Sequence, residues 1–537
     1  MQIDQTDCLV IGAGLAGAAY AFEAAKAGLT VTVLSAENPL DAANSGWAQG
    51  GIIYHRPEDM PALAMDIEKA SGGTANPVAV QTLVEDGPAA VKEFLLDELK
   101  VGFDREVGGD SLMYTREGGH SQRRIIFAKD ATGHSILSAA HRRILAMPEV
   151  AFRAGTMAVD LLTLSHSSVR YVDRYQPLTC VGAYILDTKT ARISALLARK
   201  VVLATGGLGQ IFTHTTNRPG CFGHGIAMAY RVGARIMDLE YIQFHPTAFC
   251  KKGAPTFLIS EAVRGEGAVL LGENGERFME DAHPLKELAP RDFVARSIYQ
   301  QLARQNDNAV YMDLSAMPPS FIRERFPSIY ERCKTHGVDI TREPIPVAPA
   351  AHYLCGGVHA DLDGRTTVRH LNAIGETACT GLHGANRLAS TSLLECLVSA
   401  RRAAWADAAE IRENAFYLPE VRTWASPTRE PDAHLIKQDF QLIQNTMTNY
   451  VGIVRSPARL ERSRRILGEL RREVDQFYAD CRITPDLLNL RNAIRTALLV
   501  VHAATLNRSS RGCHYREDYP PRADEAELDP DALTPNR

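Results

Sequence analysis

Gly12, Gly14 and Gly17 stand in the spacing G-x-G-x-x-G, between an apolar run that ends near Ile11 and an alanine-rich stretch that begins at Leu15. At a strand-to-helix turn such a triplet cradles a pyrophosphate. Gly12 permits the tight turn, Gly14 lets the phosphates approach the backbone, and Gly17 lets helix pack closely on strand. The free N–H groups at the helix start, at Leu15 and Ala16, would then meet the phosphate charge. A second set of residues suits the holding of carboxylates, each beside a glycine or proline turn. These are Glu117 and His120 in REGGHSQRR, His245 in QFHPT, Ser260 to Glu266 in SEAVRGEG, Arg291 in APRD, His352 in PAAHYLCGG and Arg387 in GANR. A planar guanidinium binds a carboxylate through two parallel bonds, so two or three arginines converging on one pocket would mark a dicarboxylate site. Taken singly, each would serve equally well in a surface salt bridge or as a satisfied buried histidine.

The elements that must position these groups follow from periodicity. The opening reads as a strand to Ile11, a helix from about Leu15 to Ala27 and a second strand Thr30 to Leu34, a β-α-β unit for a dinucleotide. A nicotinamide cofactor asks for an acidic residue just after that second strand, and Glu37 is the candidate. The segment Asn44-Ser45-Gly-Trp-Ala-Gln49-Gly50-Gly51 argues for a flavin, because backbone donors and small polar side chains can wrap the middle of an extended cofactor. An ordinary loop is the alternative. Gly375-Glu376 and the stretch from Gly381 to Glu395 form a second glycine-rich region, in which Ser392 and Glu395 have capping-box spacing ahead of an apolar helix. The helix start at Ser392 and Leu393 could face the flavin pyrimidine edge, where reduction places negative charge. A well-capped structural helix would use the same residues.

From about 60 to 150 the pattern is mostly helical, with a polar loop from Thr115 to Arg124. Residues 180 to 207 read as strands, the last of which could return to the first parallel sheet. The proline-bearing stretch from about Tyr241 to Ala350, with helices around Arg291 to Gln301 and Ser320 to His336, reads as an inserted domain. Residues 351 to 405 return to the first domain, and the chain is then nearly all helix to about Ala504. There Leu460, Ile466 and Leu470 mark a buried face and the arginines a solvated one. The final 25 residues read as a loosely packed tail.

Composition narrows the class. The 537 residues are 45% hydrophobic and 23% charged, enough for large cores, and disorder or a disulfide scaffold is ruled out. With 59 Lys and Arg against 63 Asp and Glu, the net charge of -4 offers no overall field for nucleic acid. The 10 cysteines form no CxxC pair, which reads as reduced thiols and no metal site. The short apolar run Cys8 to Ala13 is no signal peptide or membrane anchor, and the expectation is a cytoplasmic protein.

Eight motifs in order carry a resemblance: GAGLAG at 12 to 17, AQGG at 48 to 51, TREGGHSQRRI at 115 to 125, EYIQFHPTAF at 240 to 249, EAVRGEGAVL at 261 to 270, ELAPRDFVAR at 287 to 296, PAAHYLCGGV at 349 to 358, and GLHGANRLASTSLLECLV at 381 to 398. The chain resembles the succinate dehydrogenase and fumarate reductase flavoprotein family over nearly its whole length, and within it the branch that oxidises an amino acid. The resemblance implies an α/β fold: a Rossmann-like FAD-binding domain in two segments, 1–240 and 352–422, an inserted α+β capping domain, 241–351, and a C-terminal helical domain and tail, 423–537. It implies oxidation of L-aspartate to iminoaspartate by hydride transfer to flavin N5. Reoxidation by O2 would give H2O2, and by fumarate succinate, as the first step of de novo NAD biosynthesis. Functional coupling to quinolinate synthase is a further expectation. The alternative is a soluble fumarate reductase or succinate dehydrogenase flavoprotein.

The resemblance also assigns residues. Arg291 would donate or accept the proton at the substrate carbon, with Glu261 and Glu266 as relay candidates. His245, His352 and Arg387 would hold carboxylate, and Ser260 would keep a hydroxyl where the family often has threonine. Glu117 would meet the substrate amino group. Asn44 stands where respiratory members carry the histidine bonded to FAD, so the flavin should be non-covalent. His224 stands where many members have aspartate, from which follows the expectation that flavin affinity changes between about pH 5 and 8.

Overall fold

The computed structural model describes residues 3–37, 43–106, 108–425 and 427–521. Its opening strand Ile3–Ile11, helix Leu15–Lys26 and strand Val31–Ser35 form the β-α-β unit. The two strands are parallel, with Cys8 opposite Val31 and Val10 opposite Val33. Runs such as Leu9, Val10, Val31 and Val33 are fully buried, as a parallel sheet covered on both faces requires. The small side chains of the helix, Ala18, Ala21, Ala24 and Ala25, let it lie close against a long helix, Thr391–Glu413.

The strand Ile193–Leu203 does return to this sheet, parallel to the first, with Leu9 opposite Val201 and Ile11 opposite Leu203. Val150–Ala154 and Leu371–Ala373 add parallel strands. The sheet is mixed, because Cys180–Asp187 and Thr156–Thr163 join antiparallel, making seven strands in all. The parallel strands end together at Ile11, Ser35 and Leu203, and the crevice outside such carboxyl ends is where α/β sheets bind ligands.

A second sheet of four antiparallel strands runs in the order Ile242–Phe249, Ile345–Leu354, Val310–Asp313, Val269–Leu271. It has its own core, in which Phe249 stacks on Phe257 at 4.6 Å and helix Arg291–Leu302 contributes Val294 and Ile298. The helix expected around Ser320 to His336 is two, Pro319–Arg325 and Pro327–Thr335. They break at Phe326, held at φ -128 and ψ 53, because a proline ring disfavours helical backbone in the residue before it.

Three long helices follow, Ala433–Val451, Pro457–Asp480 and Pro485–Leu506, capped by the side chains of Asp432, Ser456 and Thr484. On the middle one Leu460 and Leu470 are buried, Leu467 takes the core position beside half-buried Ile466, and Arg464 lies outside, paired to Glu461 at 2.7 Å. The start of the expected loose tail is instead packed. Tyr515–Arg516 pairs in parallel with Val454–Arg455, and His514 and Arg516 are buried. The cause is local polarity: Arg516 donates to the carbonyls of Ala504, Thr505 and Asn507, the unpaired end of the last helix. The tail's remainder, 522–537, lies outside the described residues. Among the described residues no helix is long and apolar enough to cross a membrane.

Candidate active site

One cavity of about 820 Å³ runs from the carboxyl ends of the central sheet to the edge of the second sheet. Its first half is built by the glycine turn. Gly12 has φ +113, and a Cβ there would lie 2.2 Å from the Ala204 carbonyl oxygen, so only glycine lets the strands meet the turn. Gly14, Leu15 and Ala16 line the cavity. Gly17 does not: a Cβ on it would meet the Gly12 carbonyl at 2.0 Å, so its role is helix packing and not direct contact with a cofactor.

The segment 44–51 closes over this turn. Ser45 Oγ accepts from the Leu15 N–H at 3.2 Å, Asn44 Oδ1 accepts from the Arg218 N–H at 2.8 Å, and Gln49 Nε2 donates to the Leu258 carbonyl at 3.0 Å. Gln49 Oε1 is buried with no protein partner among the described residues, an acceptor facing a cavity that also receives Gly50 and Gly51. Glu37 lies at the rim, 45% exposed and 3.8 Å from Arg218. Glu376 accepts from the Leu354 N–H at 3.1 Å, and burial pushes its carboxyl up to about 7. An elongated cavity with a phosphate-sized glycine floor, an unpaired amide oxygen and acidic groups for hydroxyls fits FAD. Asn44 offers no ring nitrogen for covalent attachment.

His224 also lines this half, its Nδ1 accepting from Asn492 Nδ2 at 2.8 Å. Burial and the neighbouring Arg231 charge push its imidazole down to about 4. Desolvation disfavours its cation, which argues against the expected change of flavin affinity between about pH 5 and 8.

The second half gathers the carboxylate-holding residues. His245 on strand Ile242–Phe249 and His352 on strand Ile345–Leu354 have ring centroids 5.2 Å apart. His245 Nδ1 accepts from the Thr247 N–H at 3.2 Å, so Nε2 carries the proton; His352 Nδ1 pairs with Thr216 Oγ1 at 2.8 Å. Burial first, then Arg291 for His245 and His245 itself for His352, hold both rings well below the usual histidine range. They are neutral hydrogen-bonding groups.

Arg291 opens its helix, and Arg387 sits in the turn before helix Thr391–Glu413. Both donate to one atom, Gln243 Oε1, each at 3.2 Å. Arg291 Nε also donates to Glu261 at 2.5 Å, and Glu261 lies 3.7 Å from the fully buried Arg264. Burial raises the Glu261 carboxyl, but Arg291 and Arg264 outweigh it and hold the group at about 2. Burial and the Arg291 charge push Arg387 below the usual arginine range. Glu117 lines the same cavity; its Oε2 accepts from Ser390 Oγ at 2.7 Å, and burial raises its carboxyl.

Other expectations change. Ser260 lines the cavity but also caps the short helix Glu261–Gly265, accepting from the Ala262 N–H. Glu266 is exposed and pairs with Arg325 at 3.3 Å, away from Arg291, so it is no relay. His120 is buried outside the cavity, bonded to the Ala389 carbonyl at 2.9 Å. The capping box of Ser392 and Glu395 does not form. The helix starts at Thr391, Ser392 Oγ accepts from Arg387 at 3.0 Å, and Glu395 accepts from Tyr353 at 2.8 Å. Ser392 and Leu393 still line the cavity. Gln243 and Ser390 are groups the sequence reading did not single out, and Arg264 was named only as part of the segment Ser260 to Glu266. Strand alternation offered a signal for Gln243, two residues before His245; Ser390 carries none.

The FAD binding domain family matches residues 7–393, and the fumarate reductase flavoprotein C-terminal family residues 441–534. The chain is 42% identical to L-aspartate oxidase 1 of Ralstonia nicotianae, covering 96% of this chain and 95% of that protein. It is 43% identical to the L-aspartate oxidase of Halobacterium salinarum, covering 96% of each. Among solved structures, a mutant of Escherichia coli quinol fumarate reductase FrdA superposes with TM-score 0.86 at 27% identity, covering 98% of this chain and 93% of that one. Mycobacterium smegmatis Sdh1 gives TM-score 0.81 at 28% identity, covering 97% and 90%. With its dinucleotide cradle, its paired arginines and these relatives, the chain belongs to the L-aspartate oxidase family of the succinate dehydrogenase and fumarate reductase flavoproteins.

Proposed function

We propose that this protein oxidises L-aspartate to iminoaspartate, with reoxidation by O2 to give H2O2 or by fumarate to give succinate, as the first step of de novo NAD biosynthesis. The observation that carries the reading is the joint presence, in one cavity, of Arg291 and Arg387 sharing Gln243 and of the Glu117 carboxylate. Two guanidiniums match two carboxylates, and one buried anion matches an ammonium. The residues that would hold FAD are those lining the other half of the cavity, among them Gly12, Gly14, Ser45, Gln49 and Glu376, and the cofactor would supply the redox chemistry of the oxidation when bound.

The chain's own groups orient and protonate. Arg291 and Arg387 bind the carboxylates, and the neutral rings of His245 and His352 add hydrogen bonds without adding charge. Fixing the substrate this way removes much of the entropic barrier to reaction. When fumarate is reduced, Arg291 gives a guanidinium proton to the alkene carbon that does not receive the hydride and is reprotonated through Glu261 and Arg264, with solvent as the final source of the proton. A guanidinium releases a proton reluctantly. Support for the relay is the contiguous row Arg291, Glu261, Arg264, in which an ionised carboxylate stands between a nearly buried and a fully buried cation.

Iminoaspartate is an imine that water hydrolyses, so functional coupling to quinolinate synthase and a cytoplasmic location complete the proposal. The test is anaerobic addition of L-aspartate to the purified flavoprotein, then air. Bleaching of the flavin with peroxide on reoxidation is expected; bleaching by succinate alone would move the protein to the dicarboxylate dehydrogenases. In Glu117→Gln, L-aspartate oxidation should fall far more than fumarate reduction. An equal fall would remove Glu117 from the amine.

A further inference from the structure

Glu117 is the group on which amine recognition turns in the reading above, and its carboxylate is held from two sides. Oε2 accepts from the Ser390 hydroxyl at 2.7 Å, and Oε1 occupies the space above Gly50, where an added Cβ would meet it at 2.3 Å. Ser390 and Glu117 are 273 residues apart in sequence, so nothing local dictates the contact. Ser390 is also held at φ 58, in the left-handed region, immediately before the helix that begins at Thr391. Glycine adopts that conformation freely, whereas a residue with a Cβ does not, and Ser390 makes no capping bond to the helix from it. The strained backbone thus turns the hydroxyl away from the helix N–H groups and onto the carboxylate.

We propose that Ser390 is a positioning residue for amine recognition: its hydroxyl fixes the Glu117 carboxylate, favours its anionic form, and leaves Oε1 to accept from the substrate ammonium. The inference rests on the reading that Glu117 meets the amino group. Burial moves the Glu117 carboxyl toward the protonated form, and a hydroxyl donor opposes this. The other charged groups acting on Glu117 are Arg291 and Arg387, which favour the anion, and Glu261, which disfavours it. Removing the Ser390 donor therefore leaves the two arginines as its support and shifts the balance toward the protonated acid.

Ser390→Gly removes the hydroxyl and relieves the backbone, so loss of folding is not the expected outcome; Ser390→Ala keeps the Cβ as a second variant. The ratio of kcat/KM for L-aspartate to that for fumarate should fall about ten-fold or more in both. The fall should lie mainly in KM, and the acid limb of the L-aspartate pH profile should move to higher pH. In a Glu117→Gln background, Ser390→Gly should change the ratio no further, since two residues acting through one contact are not additive. A ratio unchanged by Ser390→Gly but lowered by Glu117→Gln overturns the inference and leaves the reading of Glu117 intact. A ratio unchanged by both overturns the two together. Additive losses in the double variant would assign Ser390 a separate structural effect and overturn the inference.

Discussion

Glu261 Oε2 lies 2.5 Å from Nε of Arg291, with the carboxylate buried and the guanidinium nearly so. The pair sits on two helices that begin 30 residues apart, and it places a fixed negative charge behind the guanidinium that lines the cavity. Breaking a buried pair leaves an uncompensated charge, a loss of about 3–5 kcal/mol.

Glu261→Gln should therefore lower fumarate reduction at least a hundred-fold and destabilise the fold at neutral pH. The pH dependence has a definite sign. The folded carboxyl is held at about 2, below its unfolded value. Its stabilisation is fully present above the usual carboxylate range and is lost as pH falls toward 2. Acid unfolding followed by circular dichroism should show the wild type losing stability more steeply than the variant in that window.

Gln243→Glu should weaken dicarboxylate binding. The carboxamide oxygen accepts a hydrogen bond from each of Arg291 and Arg387 while its nitrogen donates to Asn386 Oδ1 at 2.7 Å and the Arg387 carbonyl at 2.9 Å. A carboxylate would neutralise part of the cationic pair, take one donor from Asn386 Oδ1 and remove the side-chain donor of the Arg387 carbonyl. Fumarate KM should rise about ten-fold or more, with flavin content unchanged on the purified protein.

Flavin affinity should be flat from pH 5 to 8. Burial holds His224 at about 4, so it carries no charge across that interval. Its folded value lies below the unfolded one, so its contribution to stability is present above about 6.5 and is lost as pH falls toward 4. Titration of apoprotein with FAD at several pH values checks the first statement, and a dissociation constant that follows a histidine curve would contradict it.

Gly12→Ala should abolish flavin retention, whereas Gly28→Ala should be tolerated. Both glycines have positive φ, +113 and +86, but a Cβ at Gly12 would collide with the Ala204 carbonyl and one at Gly28 meets nothing within 4 Å. The second substitution costs only backbone strain, about 1–2 kcal/mol. Flavin absorbance of the two purified variants and their Tm values separate the two effects.

The nucleotide half of the site was legible because its constraints are local. Gly12, Gly14 and Gly17 act within one strand-turn-helix unit, where spacing alone states which backbone atoms approach each other. The apolar period of the last helices, read from Leu460, Ile466 and Leu470, is local as well. The substrate half was visible as a set of residue types and of family motifs, without its geometry. Pairing of strands Ile242–Phe249 and Ile345–Leu354 brings His245 and His352 together, and Gln243 joins Arg291 to Arg387 across 96 residues of chain. Spacing could not separate Glu261 from Glu266 either: both fit the motif, but the short helix carries one inward to Arg291 and the other outward to Arg325. The same holds for Ser392, whose capping spacing was correct in sequence but was overridden when Arg387 supplied a stronger partner. Residue types and local backbone geometry are properties of the sequence itself. Which charges face each other, which are desolvated and hence how each titrates are decided only when distant segments pack, because Coulomb and desolvation energies depend on distance and burial and not on position along the chain.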